Sequence, residues 1–175
     1  MSHKHTISVL VKNEPGVLSR ISGLFSGRGY NIESLTVAPV LDADFSRFTI
    51  VTSGDDKVIE QITKQLNRLI PVIKVVDLQK DDAIERELVL CKVCAKDENR
   101  AEVLRIAEIF DAKVLDVTPK SYTIQALGDE KQISSMVELL RQLGIRELVR
   151  SGKVAISREN QFQNIKSMQE YECQS

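Results

Sequence analysis

The sequence predicts an α+β fold made of two tandem βαββαβ units, and three observations carry that prediction. Short β-branched runs alternate with segments whose apolar residues recur at helical spacing. The same order of elements occurs twice in 175 residues, and a polar stretch, Gln79-Lys80-Asp81-Asp82, separates the two passes. Domains at 6–80 and 81–158 follow, with 159–175 as a polar, unpatterned tail.

Thr6–Val11 (TISVLV) alternates as a half-buried strand does. Asn13-Glu14-Pro15-Gly16 is a turn that opens a helix over Pro15–Gly27, with Pro15 suited to the first helical position. Val17, Leu18, Ile21, Leu24 and Phe25 share one face of that helix, and Gly27-Arg28-Gly29 stops it. Strands over Asn31–Val40 and Arg47–Thr52 flank the acidic turn Leu41-Asp42-Ala43-Asp44. A second helix, Lys57–Leu69, turns Val58, Ile59, Ile62, Leu66 and Leu69 inward, Pro71 breaks it, and Val72–Leu78 is the fourth strand.

The second pass repeats that order. Glu87–Ala95 reads as a strand, Arg100–Phe110 as a helix, and Lys113–Val117 with Tyr122–Leu127 as strands around Pro119. Gln132–Leu143 is a helix, and Ile145–Val149 and Val154–Ile156 close the unit. Residue identity between the halves is low, so the repeat lies in the order of elements. Each unit is expected to form a four-stranded antiparallel sheet with both helices on one face. Leu35, Val37, Ile50 and Val51 leave apolar residues on both faces of the first sheet. Sheets are therefore expected to extend edge to edge, or to stack, in a dimer or larger assembly.

Composition excludes several classes. With 24 basic and 25 acidic residues the net charge is −1, which offers nothing to a nucleic acid. Trp is absent and aromatics are 5%, so no base-stacking surface is advertised. Three irregularly spaced cysteines do not make a disulfide framework. Neither a membrane-spanning apolar run nor a basic-then-apolar leader is seen, and a soluble, cytoplasmic protein is expected. Cys91-Lys92-Val93-Cys94 resembles half a zinc site, but side chains at i and i+3 of a strand diverge and no other ligands complete it. His3 and His5 are the only histidines and read as a disordered terminal pair. Gly23, Gly27, Arg28 and Gly29 lack the Lys-Ser/Thr ending of a phosphate loop and follow a helix instead of preceding one. The two glycines of the helix are expected to allow close packing against the sheet or a partner. RNA recognition motifs share this topology but need aromatics on the first and third strands, where Phe48 stands alone. Metallochaperones need cysteines in the first loop, and none is there. No catalytic residue and no metal ligand emerges.

What remains is the turn at Asn13–Gly16 with the later Asn31. Free amides of a first helical turn, together with the helix dipole, favour an anion such as a carboxylate. Asparagine amides both donate and accept, which suits an ammonium beside a carboxylate. Val17, Leu18 and Ile32 lie near in sequence to line a small apolar pocket. The second unit's corresponding loop, Lys96-Asp97-Glu98-Asn99-Arg100, has neither Pro nor Gly, and its two carboxylates repel such a ligand.

NEPGVLSRISGLFSGRGYNIESLTVAP followed by SRFTIVTSGDD closely resembles the ACT domain of the small, regulatory subunit of acetolactate synthase. Glu85-Arg86-Glu87-Leu88, Glu108-Ile109-Phe110, Asp116-Val117-Thr118-Pro119 and Ala155-Ile156-Ser157-Arg158 resemble that family's C-terminal signatures in order. The resemblance covers about residues 6 to 158 and implies tandem ferredoxin-like domains without an active site. It implies a catalytic large subunit as partner, a separate chain using thiamine diphosphate, magnesium and FAD in branched-chain amino-acid biosynthesis. It also implies a homodimer of ACT domains binding valine, or leucine or isoleucine, at their interface for feedback inhibition. On this chain Asn13, Gly16, Val17 and Leu18 would hold the effector's carboxylate and amine, with Asn31 and Ile32 supplied by the neighbouring subunit. A stand-alone ACT sensor without an enzyme partner is the alternative.

Overall fold

The computed structural model describes residues 3–78, 83–96 and 99–158. The segment read as a linker, 79–82, and the tail 159–175 lie outside them, as do Asp97 and Glu98. The elements are β1 His3–Lys12, α1 Val17–Gly27, β2 Ser34–Pro39, β3 Phe45–Gly54, α2 Asp56–Leu66, β4 Val72–Leu78, β5 Ala83–Cys94, α3 Arg100–Ile109, β6 Lys113–Val117, β7 Ser121–Gly128, α4 Glu130–Leu143 and β8 Ile145–Ser157. They form two four-stranded sheets of matching order, β2-β3-β1-β4 and β6-β7-β5-β8. The chain divides into two compact units, 1–84 with 153–175, and 85–152. By this division residues 153–157, the end of β8, group with the first unit.

In the first unit β1 pairs antiparallel with β3 and β4, and β2 pairs with β3. Ile7, Val9 and Val11 of β1 meet Phe48 and Ile50 of β3 under Val17, Ile21 and Phe25 of α1 and Ile59, Ile62 and Leu66 of α2. Both helices therefore cover one face. That burial follows from spacing: α1 contributes every fourth residue, so a single stripe enters the core. Leu18 falls outside the stripe and is 49% exposed. The face away from the helices is closed as well, with Ser8 and Leu10 at 1% and 0% exposure. There the end of β8 returns: Ala155 packs with Val76, Leu78 and Ala83, and the Lys153 N–H donates to Ser34 Oγ. The first sheet is therefore not free to stack, and only its edges stay open.

The second unit repeats the plan. Val89, Cys91 and Val93 of β5 and Tyr122, Ile124 and Ala126 of β7 lie under Val103, Ile106 and Ala107 of α3 and Ile133, Met136 and Leu140 of α4. Buried Glu87 accepts from Arg150 Nε at 2.9 Å and from its Nη2, and these bonds raise the guanidinium's pKa further. β8 is one strand where the sequence suggested two. Gly152, at φ 80°, carries the irregularity that separates the two apolar runs.

Candidate functional site

α1 begins at Val17, two residues later than expected, because Gly16 caps it in the left-handed region (φ 85°). Pro15 thus sits in the turn, not in the first helical position. A side chain at Gly16 would meet open space, so the backbone angle is what favours glycine there. The first helical bond runs from the Arg20 N–H to the Gly16 carbonyl, and the amides of Val17, Leu18 and Ser19 have no acceptor within the helix. α1 has no acidic residue in its first turn, whereas α2, α3 and α4 carry Asp56, Glu102 and Glu130 there. The positive end of the α1 dipole is thus the one without a carboxylate on its own first turn. Glu14, the nearest carboxylate, contacts Arg20 at 3.4 Å.

Asn13 is fixed from two sides. Its main-chain N–H donates to the Asp44 carbonyl (2.7 Å) and its side-chain Nδ2 to the Ala43 carbonyl (2.9 Å). A carbonyl only accepts, so the amide must present its NH2 to Ala43, and Oδ1 is directed elsewhere as an acceptor. The arrangement offers main-chain donors for a carboxylate and one carbonyl-type oxygen for an ammonium. Val17 contributes only its amide: its side chain is 4% exposed and lies in the core instead of lining a pocket. Leu18 projects outward beside Gly16.

Asn31 and Ile32 stand elsewhere. The Asn31 carbonyl accepts from Thr52 Oγ1 at 2.7 Å, and Thr52 pairs with His5 near the start of β1. Asn13 follows Lys12 at the other end of that strand. Seven residue steps lead from His5 to Lys12, about 23 Å at ~3.3 Å per step. No single amino acid spans that gap. Ile32 is half buried against the first core.

The second unit has the same framework with different contents. Lys12 donates its N–H to Pro71 and Asn13 to Asp44, and Cys94 and Ala95 donate likewise to Gly144 and Lys120. Ala95 therefore occupies the place of Asn13. The carbonyl of Pro119, equivalent to that of Ala43, is held instead by Arg100 Nη2 at 2.9 Å. Asn99 and Arg100 turn their amides back to the Lys96 carbonyl. Sequence reasoning missed Arg100, whose role depends on a turn nineteen residues away.

The remaining candidates settle as structural residues. Cys91 is buried and Cys94 half buried, both as free thiols, and burial pushes the Cys91 thiol from its ordinary 9.0 up to about 11. His3 and His5 are not a disordered pair: both lie in β1, and His5 Nδ1 donates to Asp77 Oδ2 at 3.1 Å. Among the described residues nothing packs closely against Gly23 or Gly27. Among the described residues no three His, Cys, Asp or Glu side chains gather as a metal site, and no helix is long and apolar enough to cross a membrane.

The fold of the chain defines the class: two ferredoxin-like units, the first of which leaves the amides at the start of α1 without an acceptor within the helix. Its relatives specify the family. Residues 7–74 match the AHAS small subunit-like ACT domain, and residues 86–159 match the small subunit of acetolactate synthase. A probable acetolactate synthase small subunit of Archaeoglobus fulgidus is 52% identical over 90% of this chain and 98% of its own length. The acetolactate synthase small subunit of Aquifex aeolicus is 54% identical over 89% of this chain and 82% of its own. The crystal structure of the small subunit from Thermotoga maritima superposes with a TM-score of 0.83 at 38% identity, covering 90% of this chain and 99% of that one. The chain belongs to the acetolactate synthase small subunit family.

Proposed function

We propose that the chain is the regulatory partner of a catalytic large subunit, which it activates and makes sensitive to feedback inhibition by a branched-chain amino acid, valine first among them. Thiamine diphosphate, magnesium and FAD belong on this reading to the catalytic chain, and the complex to the cytoplasm. The observation that supports it is the separation of the two half-sites. Asn13–Gly16 and Asn31–Ile32 sit at opposite ends of one sheet, so neither is complete within a single chain. β2 is an outer strand, and α2 packs over β4, which leaves α1 on the β2 side. Antiparallel pairing of two β2 edges about a two-fold axis lays the start of one α1 beside the end of the other. That operation brings Asn31 and Ile32 of one copy to Asn13 and Gly16 of the next. The effector's carboxylate then takes the α1 amides, its ammonium the Asn13 Oδ1, and its side chain the outward Leu18 with Ile32. Valine shifts the assembly only by its differential affinity for the inhibited state, typically about 1–3 kcal/mol.

Complementation tests the shared site. Gly16→Asp and Gly16→Asn bear the same left-handed strain, so a difference between them reads charge alone. The Asn variant is expected to keep valine binding, measured by calorimetry, and the Asp variant to lose it while still activating the catalytic chain. Asn31→Ala is expected to lose it too. Mixing Gly16→Asp with Asn31→Ala copies rebuilds one intact site of two in each mixed dimer, which restores about a quarter of the stoichiometry in an equal, randomly paired mixture. Full valine sensitivity of Gly16→Asp in a reconstituted assay would sink the assignment.

A further inference from the structure

α1, α2 and α4 each start beside a carboxylate carried by the turn before them. Asp55 accepts from the Val58 N–H and Asp129 from the Gln132 N–H, both at 2.8 Å, so α2 and α4 are capped from within. Glu14 accepts instead from Arg20 Nη1 at 3.4 Å. The position six residues after each carboxylate separates the cases: it is Arg20 in α1, but Gln61 in α2 and Ser135 in α4. Arg20 stands one turn into α1, with its own N–H on the Gly16 carbonyl at 3.0 Å. Helical side chains lean toward the N-terminus, so its guanidinium reaches back along the first turn and meets Glu14 there. Both side chains are well exposed, at 52% and 43%, and an ion pair of that kind adds little to stability. Its consequence lies in where the carboxylate is kept.

We propose that Arg20 is a positioning residue of the effector site: it holds Glu14 off the α1 amides and leaves them to the effector's carboxylate. The inference rests on the reading that those amides take that carboxylate. A helix start attracts any carboxylate within reach, and Glu14 is tethered two residues before Gly16. Tethering gives it an effective concentration on the order of millimolar, present whether or not the effector is. Once released, Glu14 either accepts from the amides, as Asp55 and Asp129 do at their helices, or stands beside them as a like charge. Each outcome opposes an incoming carboxylate. Arg20 removes both by giving Glu14 another partner.

Calorimetric titration of valine into wild type, Arg20→Gln, Glu14→Gln and the double variant, each as the full chain, tests it. Both single variants break the same ion pair, so a purely structural pair affects them alike. The proposal separates them. Arg20→Gln is expected to bind valine about fivefold more weakly, the size of a typical capping interaction. Glu14→Gln is expected to stay within about twofold of wild type, as is the double variant, in which no carboxylate is left to release. Arg20→Lys keeps the cation and is expected to retain most of the affinity. Equal weakening of the two single variants overturns the proposal, as does unchanged binding by Arg20→Gln. A double variant as weak as Arg20→Gln also overturns it, because Arg20 then touches the effector itself. Gly16→Asp in the same series keeps the two readings apart. If it loses valine while Arg20→Gln does not, the effector site stands and the role of Arg20 falls. If it binds valine as wild type does, the site reading falls and takes this inference with it.

Discussion

At the head of the first unit an asparagine bonds the neighbouring turn and leaves the helix end open. At the head of the second an arginine bonds the equivalent turn, while the amides at the helix start fold back on Lys96. Arg100 Nε also donates to the Ala95 carbonyl at 3.3 Å, so its guanidinium ties two carbonyls where Asn13 Nδ2 ties one. The scaffold around both is the same set of backbone bonds. The two helix starts thus differ in what the scaffold leaves unused. In the first unit one side-chain N–H closes the loop and the Gly16 turn keeps the amides outward. In the second the same loop is closed by a larger cation, and Glu102 supplies the first-turn carboxylate that an incoming anion would have to displace.

The largest effects separate these roles. Asn13→Ala is expected to weaken valine binding at least tenfold, yet cost only about 1 kcal/mol of stability, the worth of one neutral hydrogen bond. Arg100→Ala is expected to do the reverse: about 1.5–3 kcal/mol for charged donors lost from two carbonyls, with valine binding unmoved. Chemical denaturation beside calorimetry reads both. A loss of valine binding in Arg100→Ala would erase the distinction between the units.

A second pair of positions probes the shared scaffold. Gly54-Asp55 and Gly128-Asp129 precede α2 and α4, and each aspartate accepts from the amide three residues on, Val58 and Gln132. A Cβ at Gly54 would lie 2.8 Å from Val58 Cγ1, and one at Gly128 3.0 Å from Gln132 Oε1. Val58 is β-branched and packs against the core, whereas Gln132 is exposed and can swing aside. Gly54→Ala is therefore expected to cost about 1–3 kcal/mol by overpacking. Gly128→Ala is expected to cost less, about the ~1 kcal/mol of the capping interaction that Gln132 completes. Melting of the two variants side by side checks the order.

This pair also shows what the sequence held unread. Gly-Asp-acid-Lys stands at 54–57 and again at 128–131, a residue-level repeat hidden by a search for the order of elements alone. Periodicity located every element, and Val72–Leu78 and Lys113–Val117 to the residue, because short strands between turns leave little freedom. The start of α1 was misplaced because Pro15 satisfies a local rule while the left-handed angle at Gly16 does not show in residue type. The Asn13–Ala43 and Arg100–Pro119 bonds are tertiary, and no local spacing announces them. The distance between Asn13 and Asn31 within one chain likewise needed the strand register.

The smallest effect concerns the cores. By the shared backbone bonds Val9 of the first unit is the equivalent of Cys91 of the second, so only the second core contains a titratable group at that position. Burial raises the Cys91 pKa from 9.0 to about 11, so the folded state holds the proton that the unfolded chain releases above pH 9. Fewer protons on the unfolded state mean that stability falls as pH rises, from about 9 until about 11. One unit of that window corresponds to about 1.4 kcal/mol, reached near pH 10. Cys91→Val gives the second core the residue of the first and is expected to flatten this alkaline limb in denaturation at pH 8 and pH 10. An equal fall in the valine variant would place the alkaline sensitivity elsewhere and leave the two cores alike in this respect.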